Sequence, residues 1–262
     1  MYALMNQLWL DYLTLNPQAA AINRLLAENE AVANDHIALR TMAHAKTNIQ
    51  QLAQHFLTLG YTPADCYHFA TKKLDAQYFI HLQRPRWPKI FISQLTMSQC
   101  STYLQNVIEQ AINDIPDDFC QAADCLYRGR IWPASYPIYC RLAEESEYAA
   151  WWYALGFHAN HFTVNVNQLL PKTQLEEVNQ KLKRAGYALN PHGGEIKGHE
   201  SDGLKQSATL ADKQKIDFIE GKFEIPTCYY EFAERFTLSD GQLFQGFVTQ
   251  SADKIFQSTD RY

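Results

Sequence analysis

The sequence predicts an α+β fold: two βαβββ units whose sheets curl around a shared central metal pocket, with additional helices. Three observations carry this. Two apolar strand-like runs holding His36 (34–41, NDHIALRT) and His161 (159–166, ANHFTVNV) place their histidines 125 residues apart. Each run is followed by a helical pattern that opens on a threonine and stops at Gly-Tyr, at an offset of 126 residues. Each helix is then followed by strand signals without the alternating helices that a parallel sheet needs.

In chain order, Asn16 and Pro17 suggest an N-cap and a proline at the first helical position, opening a helix to about Glu30. Thr47 with Gln50, and Thr173 with Glu176, have the form of a capping box. The first box opens a helix with apolar positions Ile49, Leu52, Phe56 and Leu59; the second uses Leu175, Val178 and Leu182. Gly60 and Gly186 fit left-handed helix caps. Strands are expected at 76–83 and 89–95 in the first unit, and at 206–211, 215–220 and 227–235 in the second. Residues 97–113 and 141–155 are helix-like, the second stretch ending near Gly156. The whole chain, 1–262, therefore reads as one domain. Its units span about 31–95 and 157–236, with a helical N-terminus (1–30) and a helical insert (96–156).

Composition narrows the function. With 47% apolar and 19% charged residues the chain has ample core material. A net charge of −5 without a basic run excludes a protein that neutralises many phosphates, so no nucleic-acid partner is expected. No stretch of about 18 apolar residues exists to cross a membrane. The opening MYALMNQLWLDYLTLNP lacks a basic lead and is interrupted by Asp11, unlike a secretory signal. The six cysteines (66, 100, 120, 125, 140 and 228) form no CxxC pair, which suits free thiols in the cytoplasm.

His36 and His161 hold matched repeat positions, so a pseudo-twofold packing brings two imidazoles together. Neutral imidazole suits Fe, Zn, Cu and Ni. Glu231, between Tyr230 and Phe232 in a strand pattern, is the third candidate ligand. Two histidines and one carboxylate make a facial triad with open positions for substrate and O2 on Fe(II). The last strand of the first unit, KIFISQL, offers no carboxylate, so a single metal site is expected. Arg40 shares a strand face with His36, roughly 13 Å along, close enough for its long side chain to clamp a carboxylate. Gln206 and Ser207 are candidate donors to substrate oxygens. His158, His192 and Tyr229 are candidate residues around the pocket. The turn-rich segment 190–198 (NPHGGEIKG), with His192, Glu195 and Lys197, could line its mouth. Histidines 44, 55, 68, 81 and 199 fit no pattern.

The segments HIALR, NHFT, HGGEIKG, QSATLA and YYEFAER, in that order, make the chain resemble the DUF1338 family. These are the 2-oxoadipate dioxygenase/decarboxylase (hydroxyglutarate synthase) enzymes of the vicinal oxygen chelate superfamily. The resemblance runs from about residue 5 to 250. It implies metal ligands at His36, His161 and Glu231, a substrate arginine at Arg40, and Fe(II) as the metal, with Zn or Ni as substitutes. It further implies oxidation of 2-oxoadipate by O2 to 2-hydroxyglutarate and CO2, in lysine breakdown. The alternatives are a glyoxalase-type isomerase or lyase, and a non-catalytic protein that binds a small ligand in the same cleft.

Overall fold

The structure, a computed structural model, describes residues 2–27 and 31–249. Helices α1 (Tyr2–Leu15) and α2 (Gln18–Leu26) lead in. Asn16 does not cap α2; Pro17 stands at that position with φ −62°, and the buried Asn16 amide instead donates to Tyr12 Oη at 2.6 Å. The predicted extension of this helix to Glu30 falls on residues 28–30, outside the described residues.

The first unit is β1 (Asn34–Met42), α3 (Ile49–Leu57), β2 (Thr62–Phe69), β3 (Leu74–Ile80) and β4 (Lys89–Leu95). The insert adds α4 (Thr102–Asn113), short 3-10 turns, α5 (Tyr136–Glu145) and α6 (Glu147–Leu155). The second unit is β5 (Ala159–Asn165), α7 (Leu175–Arg184), β6 (Lys197–His199), β7 (Leu204–Ala208), β8 (Lys213–Phe218), β9 (Gly221–Pro226) and β10 (Tyr229–Arg235).

Eight strands form one curled sheet in the order β2-β3-β4-β1-β5-β10-β7-β6. The order is a palindrome of roles. β1 pairs β4 in parallel, β5 pairs β10 in parallel, and β1 meets β5 antiparallel at the centre. The strand predicted at 215–220 is not part of this sheet; β8 and β9 form a separate hairpin inserted between β7 and β10. Three strands went unpredicted: β2, β6 and β9, the last lying between the strands expected at 215–220 and 227–235. β2 is a half-exposed edge strand containing Pro63, and β6 has only three residues, so neither shows a buried alternating pattern.

The repeated helices keep their 126-residue offset, but each starts one residue later than predicted. Asn48, not Thr47, caps α3 by accepting from the Gln51 N–H at 3.1 Å. Gln174 caps α7, with the Glu177 carboxylate accepting from the Gln174 N–H at 3.0 Å and the Thr173 hydroxyl at 2.7 Å. Thr47 is buried instead, donating to the Met42 carbonyl. Both helices close alike. Gly60 (φ +92°) and Gly186 (φ +90°) take left-handed backbone, and Tyr61 and Tyr187 donate five residues back to Phe56 and Leu182, each at 3.1 Å. Ile49, Leu52 and Phe56, and then Leu175, Val178 and Leu182, bury their faces on the sheet. Each such side chain contributes about 1.5–3 kcal/mol.

The stretch 141–155 is two helices, broken at Ser146, whose hydroxyl accepts from the Ala149 N–H. From Tyr148 to Leu155 every residue of α6 is buried, as an all-round apolar helix must be. Gly156 (φ +79°) ends it where a Cβ would lie 2.5 Å from the Arg130 backbone. The Tyr148 hydroxyl, accepting from the Thr41 N–H at 3.0 Å, ties α6 to β1.

Candidate metal centre

β1 and β5 lie side by side, and alternation decides which residues share a face. His36, Ala38 and Arg40 share one face of β1. Across β5, His161 lies opposite Ala38, and Thr163 opposite His36. On β10, Tyr229 pairs with His161 and Glu231 with Thr163. Glu231 also pairs with Ala208 of β7, which places Gln206 on the same face. One strand from the first unit and three from the second therefore converge on one spot.

His36, His161 and Glu231 are 2%, 4% and 1% exposed, and their ligand atoms all lie within 4.8 Å of one another. His36 Nε2 is 3.6 Å from Glu231 Oε1, and His161 Nε2 is 3.3 Å from Oε2. The imidazoles are nearly perpendicular, with centroids 5.5 Å apart. The Thr163 hydroxyl lies 3.0 Å from His36 Nε2.

The outer nitrogens are oriented by the residues just before each histidine. His36 Nδ1 donates to Asp35 Oδ1 at 2.8 Å, and His161 Nδ1 lies 3.0 Å from Asn160 Oδ1. A carboxylate accepts only, so Asp35 fixes the His36 proton on Nδ1 and leaves the Nε2 lone pair facing Glu231. Asp35 is in turn held by the Arg235 fork at 2.7 and 2.9 Å. Burial alone would raise the Asp35 carboxyl, but the charge and hydrogen bonds of Arg235 outweigh it and hold it well below the usual range. Burial, then His36 and Arg40, push His161 well below the ordinary histidine value, so its imidazole is neutral. Burial raises Glu231, against the pull of His36. Two imidazoles and a carboxylate whose ligand atoms lie this close together fit a divalent metal of the facial-triad type.

Gln206 donates through Nε2 to Glu231 Oε1 at 2.5 Å, while its buried Oε1 has no partner. Tyr229 stacks on His161 (4.6 Å, 24°), and its buried hydroxyl likewise lacks a partner. Among the described residues neither atom has a hydrogen-bond partner, so each is placed to meet a polar atom of a bound molecule. Arg40 is buried between Tyr148 and Trp151, its guanidinium 4.9 and 5.1 Å from the two rings, and pairs with Glu147 Oε1 at 2.8 Å.

Three expectations are corrected. Ser207 faces away from the pocket: it pairs with Phe232 rather than Glu231, and its hydroxyl donates to Asn179 of α7 at 2.7 Å. His158 lies under Gly129, its Nδ1 paired to Asp11 of α1 at 2.7 Å, so it braces the N-terminal helix. Glu195 pairs on the surface with Lys183 at 2.9 Å. His192 sits on the α7–β6 loop, 3.3 Å from Asn190 Oδ1. Lys197 is buried opposite Gln206 and donates to the Asn190 carbonyl at 2.6 Å. Asp35, Asn160, Arg235 and Thr163 were missed. The repeat could have exposed the first two, a polar acceptor one residue before each matched histidine.

Paired βαβββ units meeting at one His/His/Glu cluster that could hold a metal ion give the chain a fold of the vicinal-oxygen-chelate-like class. A glyoxalase-superfamily protein from Ralstonia eutropha shares this fold at TM-score 0.76 and 18% identity, covering 94% of this chain and 84% of its own. Within that class, the chain belongs to the 2-oxoadipate dioxygenase/decarboxylase family, whose model matches residues 3–126 and 122–242. It is 33% identical to the chloroplastic 2-oxoadipate dioxygenase/decarboxylase of Arabidopsis thaliana, over 98% of this chain and 76% of the relative. The hydroxyglutarate synthase of Oryza sativa, solved with 2-oxoadipate, superposes at TM-score 0.91 with 30% identity, covering 98% and 91% of the two chains. A structure from Shewanella frigidimarina described as a hydrolase superposes equally well at 45% identity, covering 94% and 97%.

Proposed function

We propose that the protein is an Fe(II)-dependent dioxygenase that converts 2-oxoadipate and O2 to 2-hydroxyglutarate and CO2. The observation that carries this is the convergence of His36, His161 and Glu231 in one buried cluster to which both units contribute. Membership of the family and the 2-oxoadipate-bound rice relative support it. The need for both units in one site also supports reading the chain as a single domain.

His36, His161 and Glu231 would hold the iron. Bound there, it supplies open coordination positions and the one-electron chemistry that O2 needs to react with a closed-shell acid. The rest is work for the side chains. Asp35 and Asn160 keep the two imidazoles aimed, and Gln206 steadies Glu231. Arg40 supplies the fixed cation that orients a substrate carboxylate, and stacking on Tyr148 and Trp151 limits its freedom. The Gln206 carbonyl and the Tyr229 hydroxyl meet polar atoms of the bound acid. Burial of the whole set keeps bulk water from the reacting atoms.

The compartment proposed is a reducing one, the cytoplasm, supported by six free cysteines. No helix among the described residues is long and apolar enough to cross a membrane.

The test is anaerobic loading with Fe(II), then addition of 2-oxoadipate in an oxygen electrode with CO2 collected. Uptake of O2 matched by CO2 and 2-hydroxyglutarate, and abolished in Glu231→Ala, is expected. Turnover without O2, on Zn or Ni, would instead establish an isomerase, lyase or hydrolase. Tight binding of the acid that is indifferent to metal would establish a sequestering protein.

A further inference from the structure

We propose that Phe247 is the wall that limits how large a substrate chain fits beside His36; this rests on the 2-oxo acid reading above. Beyond Arg235 the chain turns back across the first unit. Arg235 Nη1 donates to the carbonyls of Phe244 (3.1 Å) and Gly246 (2.8 Å), and the Phe247 N–H donates to Tyr67 Oη at 2.9 Å. A Cβ on Gly246 would lie 2.9 Å from the Phe244 ring and 3.2 Å from Tyr67 Oη, so a glycine lets the chain pass here.

These contacts seat Phe247, 7% exposed, with its ring edge-on to the His36 imidazole at 4.9 Å and 89°. Its ring neighbours include Phe91 at 4.8 Å, Tyr78 at 5.3 Å and Tyr67 at 6.1 Å, and the Arg235 guanidinium lies over it at 5.4 Å. Register puts Phe91 and Tyr78 on the metal-facing side: His36 pairs with Lys89, Phe91 lies two residues on, and Tyr78 pairs with Phe91. The same register gives Phe91 a meaning. His161 pairs with Tyr229, and two residues beyond stands Glu231. Phe91 thus holds the position of Glu231 in the other unit.

The two halves of the pocket therefore differ in kind. The second unit presents buried polar atoms on Tyr229 and Gln206 that have no partner among the described residues. The first presents, beyond Arg40, a packed aromatic cluster capped by Phe247, whose own ring offers no hydrogen bond and acts by volume. An apolar wall of this sort discriminates ligands by about tenfold or more per methylene.

The experiment compares wild type, Phe247→Ala and Phe247→Leu with the five-, six- and seven-carbon 2-oxo dicarboxylic acids. Anaerobic binding to the metal-loaded protein by calorimetry is read first, then kcat/KM. Phe247→Ala should improve the seven-carbon over six-carbon affinity ratio by about tenfold or more, with Phe247→Leu shifted less in the same direction and metal content kept. If Phe247→Ala fails to fold, Phe247→Leu carries the test. A ratio within about threefold of wild type in the folded variants overturns the proposal, because a wall must act on size. A wild-type protein that binds none of the three acids overturns the 2-oxo acid reading, and this proposal with it.

Discussion

Replacing Asp35 with Asn removes the one charge that ties three parts of the molecule together. Asp35 accepts from His36 Nδ1 at 2.8 Å and from two nitrogens of Arg235 at 2.7 and 2.9 Å, and it is 3% exposed. Asparagine keeps one acceptor oxygen but turns an NH2 group toward a donor. Stripping a buried ion of its partner costs about 3–5 kcal/mol. Arg235 keeps the carbonyls of Phe244 and Gly246, which puts the loss near the lower end, about 3 kcal/mol. His36 also loses the acceptor that aims it, a change that typically weakens metal binding about 10–100-fold. The sign with pH follows from the depressed carboxyl. Its contribution is whole above the unfolded carboxyl range, near about 4, and is lost as pH falls through the lower folded value. The gap between wild type and Asp35→Asn should therefore close on acidification below about pH 4. Urea unfolding of the metal-free protein across pH, with a Zn2+ competition titration at neutral pH, measures both losses. A variant within about 0.5 kcal/mol of wild type that also keeps its metal affinity refutes the reasoning.

Ser207→Ala should cost about 1–2 kcal/mol of stability, by leaving Asn179 Oδ1 short of a donor, and leave metal and substrate affinity unchanged; a large rise in KM would return Ser207 to the pocket. Arg40→Lys gives up a planar fork and two ring contacts, so the 2-oxo acid should bind about tenfold or more weakly while metal content holds, as calorimetry can read. Lys89 is 9% exposed, and burial lowers its amine to about 8. The folded state therefore opposes the charged form, and stability rises as pH climbs from about 8 toward the unfolded value of 10.5. Lys89→Met should be more stable than wild type at pH 7, by at most about 3 kcal/mol, and lose that advantage through this window; an equal pH slope in both proteins would count against it.

Much of this was legible in the chain because duplication doubles weak signals. One histidine in an apolar strand says little, but His36 and His161 at the same repeat position, each ahead of a Gly-Tyr helix stop, say a great deal. The caps slipped by one residue because Thr47 and Thr173 are as good cap chemistry as Asn48 and Gln174; burial of Thr47 decided the first case. Ser207 was misplaced because alternation was not carried from Gln206 to its neighbour, which must face the other way. Arg235 and Phe247 left no signal: a charge ending a strand and a phenylalanine in a polar tail acquire meaning only when the chain folds back across the first unit. β8 reads like any strand of the main sheet and its partner β9 went unread, since nothing local records which sheet a strand joins.

The seam between β1 and β5 has a consequence for how the molecule comes apart. His36 and His161 are contributed from opposite sides of that seam, and Glu231 lies a further 70 residues along. A metal held by all three is a reversible cross-link that closes long chain loops, and the ends of long loops are costly to bring together in the unfolded chain. Ion binding is then also folding energy. At a free ion concentration 100 times the dissociation constant, it adds about 2.7 kcal/mol to the joined state. Chelation should therefore lower the melting temperature of the whole sheet, and scarcity of the ion in a cell would reduce the amount of folded protein as well as its activity.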